Sequence, residues 1–92
     1  MNIKKISRPI NNAKNSFVKW LKANNVEDLD VYKFDEDHDW HYYASVSGYV
    51  KDNLYTANFE FYKGHDEPYI NYSDGENSYR NLSIECFLSL FD

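Results

Sequence analysis

The stretch at positions 40–62, WHYYASVSGYV followed by KDN and LYTANFEFY, decides the fold. Trp40, Tyr42, Ala44, Val46, Gly48 and Val50 alternate with His41, Tyr43, Ser45, Ser47 and Tyr49. A period of two belongs to a strand with one apolar face, because successive side chains leave a strand on opposite sides. After the short polar turn Lys51-Asp52-Asn53, Tyr55, Ala57, Phe59 and Phe61 alternate with Leu54, Thr56, Asn58, Glu60 and Tyr62. Two alternating runs joined by so short a turn predict an antiparallel hairpin with one face toward a core.

Working outward, Gly64 to Pro68 reads as a turn and Tyr69 to Tyr72 as a third, shorter strand, with Val31 to Phe34 adding a fourth at an edge. Ser73-Asp74-Gly75 is a further turn. Upstream the period changes. Ile10, Ala13, Phe17, Trp20 and Leu21 recur at helical spacing, which predicts a helix with one apolar stripe. Ser7 is its expected cap, Pro9 falls in its first turn, and Asn24-Asn25 is its expected stop. Leu82 to Phe91 predicts a closing helix capped by Ser83, with Leu82 packing on Phe87 as a hydrophobic staple. The expected fold is α+β over a single domain, residues 1–92. It comprises an N-terminal helix, a three- to four-stranded antiparallel sheet and a C-terminal helix, packed on one sheet face. The expected core is Phe17, Trp20, Leu21, Trp40, Val46, Phe59, Phe61, Phe87 and Phe91.

Ninety-two residues suffice for one domain. Apolar residues make up 42% and aromatic residues 18%, too much for a disordered chain. No apolar run approaches the roughly 18 residues of a membrane span. Met1 to Ile10 is polar and basic with no apolar stretch behind it, so a cytoplasmic protein is expected. Cys86 is the single cysteine, which excludes an intrachain disulfide. The net charge of −5 conceals a segregation. Lys4, Lys5, Arg8, Lys14, Lys19 and Lys22 all fall within residues 1–26, which hold no acid. The remainder holds all fifteen acids against Lys33, Lys51, Lys63 and Arg80. Such asymmetry concerns partners and association rates more than fold.

The segment Asp35-Glu36-Asp37-His38-Asp39-Trp40-His41 is the one local concentration of functional groups. It opens like a calcium loop. That loop needs Gly at its sixth position and Glu at its twelfth, where this chain has Trp40 and Val46. A zinc site on His38 and His41 would need further ligands, and His65 and Cys86 are remote in sequence. Cys86 lies in an apolar helix with no base beside it and reads as a small core residue. The three glycines are isolated, so no phosphate-binding loop is present. No enzyme, metal or cofactor is expected.

What remains points to a partner macromolecule. His41, Tyr43, Tyr49, Tyr62 and Tyr69 fall on the face of the sheet away from the core, and tyrosine gives large contact area at low entropic cost. If Asp35, Asp37 and Asp39 are extended, alternate carboxylates stand roughly 6.5–7 Å apart. A row of anions at such spacing imitates a nucleic-acid backbone to a protein evolved to bind phosphates. The candidate binding surface is therefore Asp35, Glu36, Asp37, Asp39, Glu60, Asp66 and Glu67 with Tyr43, Tyr49 and Tyr62.

With Asp35-Glu36-Asp37-His38-Asp39 and its tyrosine-bearing strands between two helices, the chain resembles the Arn (anti-restriction nuclease) family of T-even phages. The resemblance is one of length, charge and layout over the whole chain. It implies a homodimer whose negative surface imitates duplex DNA, and a target among basic DNA-binding host proteins, either a restriction nuclease or a nucleoid protein. It implies neither direct nucleic-acid binding nor a membrane. Two alternatives stay open. One is an immunity protein or antitoxin that plugs a basic nuclease, and the other is an anti-CRISPR protein.

Overall fold

A computed structural model of the chain describes the backbone over residues 3–35, 41–62 and 68–91, and the side chains over 8–33, 43–61 and 68–91. Its elements in chain order are α1 (Ile3–Ala23), β1 (Glu27–Asp35), β2 (His41–Val50), β3 (Asn53–Tyr62), β4 (Tyr69–Ser73), β5 (Ser78–Leu82) and α2 (Ile84–Ser89). The fold is α+β, with five strands rather than the three or four expected. The sheet is a meander in the order β1-β2-β3-β4-β5, and every neighbouring pair is antiparallel.

The β2–β3 hairpin sets the register. Lys51 and Asp52 both have positive φ (51° and 67°), and Val50 pairs with Asn53. Two left-handed residues in a two-residue loop match the right-handed twist of the strands. The alternation then works as expected. Ala44, Val46 and Val50 of β2 and Ala57, Phe59 and Phe61 of β3 are buried on one face. β1 meets β2 with a bulge: Glu27 pairs with Tyr49 and Asp30 with Ser47, so one extra residue stands on β1, where Asp28 has φ 54°. A β-carbon on Gly48 would collide with Cγ2 of Val26 and meet the Glu27 carbonyl oxygen at 3.5 Å and the Leu29 Cα at 3.6 Å. The missing side chain lets the start of β1 lie against β2.

The helix α1 starts at Ile3, upstream of the expected Ser7 cap, and carries Pro9 in its interior. Pro9 cannot donate to the Lys5 carbonyl, one hydrogen bond forgone in an otherwise helix-compatible run. At the other end Asn25 has φ 60°. Its N–H donates to the Lys22 carbonyl at 3.2 Å and that of Val26 to the Leu21 carbonyl at 3.1 Å, a Schellman termination with Asn in the left-handed position. The predicted stripe is buried at Ile10, Ala13, Phe17 and Leu21. The closing helix is shorter than the sequence pattern suggests. Ser83 caps it as expected, its Oγ accepting from the Cys86 N–H at 3.1 Å.

Both helices lie on one face, α1 against β2 and β3, and α2 against β4, β5 and α1. Phe17 is the hub between them, its ring 6.3 Å from Phe59, 6.0 Å from Tyr72, 5.6 Å from Phe87 and 5.3 Å from Phe91. Offset and edge-to-face aromatic pairs stabilise beyond their area, by about 0.5–1.5 kcal/mol each. Two expected core residues, Trp20 and Phe91, are only partly buried; they pack on each other at 5.0 Å at the rim. Trp40, also expected in the core, lies outside the described residues. Cys86, expected as a core residue, is exposed.

Candidate functional site: the open face of the sheet

With both helices on one side, no other element among the described residues covers the second, open face of the sheet, and register arranges its side chains in transverse rows. Cross-strand partners share a face, so each row follows from the pairing. At one end stand Glu27, Tyr49 and Leu54. Next come Asp30, Ser47, Thr56, Ser73 and Ser78. Then Tyr32, Ser45, Asn58 and Asn71, and after them Tyr43, Glu60 and Tyr69. The middle is small and polar, whereas the tyrosines gather toward β1 and the two ends. Tyr32 and Tyr43 lie 6.1 Å apart, ring to ring, and the Tyr43 hydroxyl donates to Asn58 Oδ1 at 3.4 Å.

Toward β5 the face dips into an open groove of about 190 Å³ lined by Thr56, Asn58, Asn71, Ser73, Ser78 and Arg80. Its rim is held by two polar devices. Asn71 Oδ1 accepts from the Asn81 N–H at 3.0 Å, where Asn81 has φ 57°. Asp74 Oδ1 accepts from the Asn77 N–H at 2.7 Å and the Glu76 N–H at 3.0 Å, closing the β4–β5 turn. The bond from Asn77, opposed by slight desolvation and joined by the bond from Glu76, holds the Asp74 carboxyl below the usual carboxylate range. On the other face, burial first and the Asp74 carboxylate second push the Tyr72 phenol far above its ordinary value, so it stays a neutral donor.

Opposite charges mark the open side of β1 and the helix α1, while Arg80 lines the open-face groove and Glu85 is exposed on α2. Glu27 and Asp30 stand on the open face along β1. On the helix side Lys14 of α1 lies near Lys33 of β1, and desolvation together with the Lys33 charge lowers the Lys14 pKa. Arg8, Lys19 and Lys22 are exposed on α1. The acidic flank and the basic helix therefore point in different directions.

Of the candidate residues, Tyr43, Tyr49 and Glu60 lie on the open face; the register sets Tyr43 opposite Glu60, while Tyr49 stands in the row at the other end of the sheet. Asp35 ends β1 opposite Tyr42, and Tyr62 ends β3 opposite His41. Glu36, Asp37, Asp39, Asp66 and Glu67 lie outside the described residues. Glu27, Asp30 and Tyr32 were missed. Their signal was the alternation Glu27-x-x-Asp30-x-Tyr32 in a strand, obscured by the extra bulge residue. Among the described residues, no group of three or more His, Cys, Asp and Glu side chains is arranged to hold a metal ion. No helix among them is long and apolar enough to cross a membrane. In comparisons with protein families, curated proteins and solved structures, nothing matches this chain.

Proposed function

We propose that this protein is a non-catalytic inhibitor that occupies the nucleic-acid-binding surface of a basic partner protein, in the manner of phage proteins that imitate DNA before a host defence or nucleoid protein. The observation that carries this reading is the open sheet face itself. It is a five-strand surface on which no helix packs among the described residues, with Glu27 and Asp30 in successive rows beside Tyr32, Tyr43 and Tyr49. A basic surface is drawn to that flank and turned away from α1, so the division of charge orients the encounter as well as speeding it. Tyrosines then supply contact area, and the Ser, Thr and Asn residues of the middle rows supply hydrogen bonds in place of bases and sugars. Exposed Leu54 and Leu90 leave apolar surface for a second copy of the chain, so a homodimer belongs to the proposal.

The test is competition. A basic DNA-binding protein captured by this chain should be released by duplex DNA and by rising salt, since both ligands rely on the same screened charges. Replacing Glu27 by Gln and Asp30 by Asn should weaken capture, while neutralising the exposed Glu76 and Glu85, which lie away from β1, should change little. Capture that is indifferent to DNA, or equal in both variants, would refute the reading. Light scattering should report about twice the 11.0 kDa chain mass.

A further inference from the structure

We infer that β1 is a strand-addition site, and that its occupant is an extended segment of the basic partner, alternating Lys or Arg with apolar residues. The inference rests on the partner being basic, as proposed above, and adds how it is held.

β1 is the terminal strand of the sheet and pairs only with β2 among the described residues. From Asp30 to Asp35 its register is regular, so every second residue turns its N–H and C=O outward from the sheet. Among the described residues no helix packs over β1, and no strand lies along its outer edge. The exposed side chains of this edge fall on both sides: Val31 is 44% exposed on the helix side, and Tyr32 is 54% exposed on the open side.

Charge selects the occupant. An incoming strand meets Glu27, Asp30 and Tyr32 on the open face, and Val31 with Lys33 and Lys14 on the other. Basic residues are favoured on the first face by Glu27 and Asp30, and apolar residues on the second, where they cover the exposed Val31. Because strand side chains alternate between faces, the complementary sequence is basic-apolar alternation. A second copy of β1 is a poor fit. Glu27, Asp28, Asp30 and Asp35 against the one Lys33 leave the strand net negative, and two copies would repel.

The probe is an acetylated, fluorescently labelled peptide of alternating Lys and Val, titrated with the full chain at low ionic strength. A second peptide has the same composition in two blocks, and a third is N-methylated at alternate residues. The alternating peptide should bind at least about tenfold more tightly than either control, and should slow hydrogen exchange at amides between Val31 and Phe34. Glu27→Gln with Asp30→Asn should weaken it about five- to tenfold, as expected for two exposed ion pairs. No binding by the alternating peptide, or equal binding by the blocked or N-methylated one, would overturn strand addition. If the peptide fails while a basic protein is still captured and displaced by DNA, the site falls and the inhibitor reading stands. If the peptide binds as expected but captured protein ignores DNA, the site stands and that reading falls.

Discussion

Replacing Gly48 by Ala tests how β1 is seated on the hairpin. The new methyl would enter the space held by Val26 Cγ2, with the Glu27 carbonyl oxygen and Leu29 Cα close behind it at 3.5 and 3.6 Å. Val26 is half-buried and is also the residue whose N–H closes the α1 terminus onto Leu21, so it cannot turn away freely. Forcing an extra methyl into such a contact costs about 1–3 kcal/mol. Ala is intrinsically better than Gly inside a strand by roughly 0.5–1 kcal/mol, which offsets part of it. A net loss of about 1–2 kcal/mol should lower the melting temperature by roughly 4–16 °C for a domain of this size. Val26→Ala alone removes two half-buried methyl groups and should cost about 1 kcal/mol. Combined with Gly48→Ala it makes room for the methyl, so the double variant should be more stable than the sum of single effects by about 1 kcal/mol. Thermal and urea melts of the four proteins complete the cycle. A neutral Gly48→Ala, or strict additivity with Val26→Ala, would show that the two residues do not press on each other.

Three further outcomes are expected. Phe59→Ala removes a fully buried ring that meets Phe17 and Phe87, and should cost about 3–5 kcal/mol in urea unfolding, more than Trp20→Ala at the rim. Ser83→Ala removes the side-chain cap on the Cys86 N–H and should cost about 1 kcal/mol, whereas Ser83→Asp should retain the cap. Asp74 is held below its unfolded pKa, so its contribution to stability is present above about pH 4 and is lost as pH falls through the lower folded value. Melts between pH 5 and pH 2 should therefore show a steeper acid loss in the parent than in Asp74→Asn.

The parts of the fold that were legible in the sequence are those where burial repeats at a fixed period. Ala44, Val46 and Val50 against Ala57, Phe59 and Phe61 gave both strands and their inner face, and Ile10, Ala13, Phe17 and Leu21 gave the helix stripe. β5 was not legible, because Ser78-Tyr79-Arg80-Asn81-Leu82 buries almost nothing. That strand exists through pairing with β4 and through the Asp74 turn, neither of which leaves an apolar alternation. β1 was legible only in its second half, since its bulge at Asp28 breaks the period and its edge position relaxes the demand for apolar residues. For the same reason the candidate surface was half seen. Tyr43, Tyr49 and Glu60 followed from hairpin parity, while Glu27 and Asp30 belong to the open face only once the bulge is counted.

The meander has a consequence for how the chain reaches this structure. Each strand bonds to its own sequence neighbour, so the sheet can grow by a succession of short loop closures, each with a small entropic cost. The helix α1 is the exception. It precedes all five strands yet rests on β2 and β3, and its stripe of Ile10, Ala13, Phe17 and Leu21 is not fully covered until Phe59 and Phe61 have been synthesised. During translation, then, the helix waits for the hairpin to complete its packing surface. Until the hairpin leaves the ribosome, α1 is an amphipathic segment with an exposed apolar side, which is the interval when a chaperone or a neighbouring nascent chain finds it most accessible.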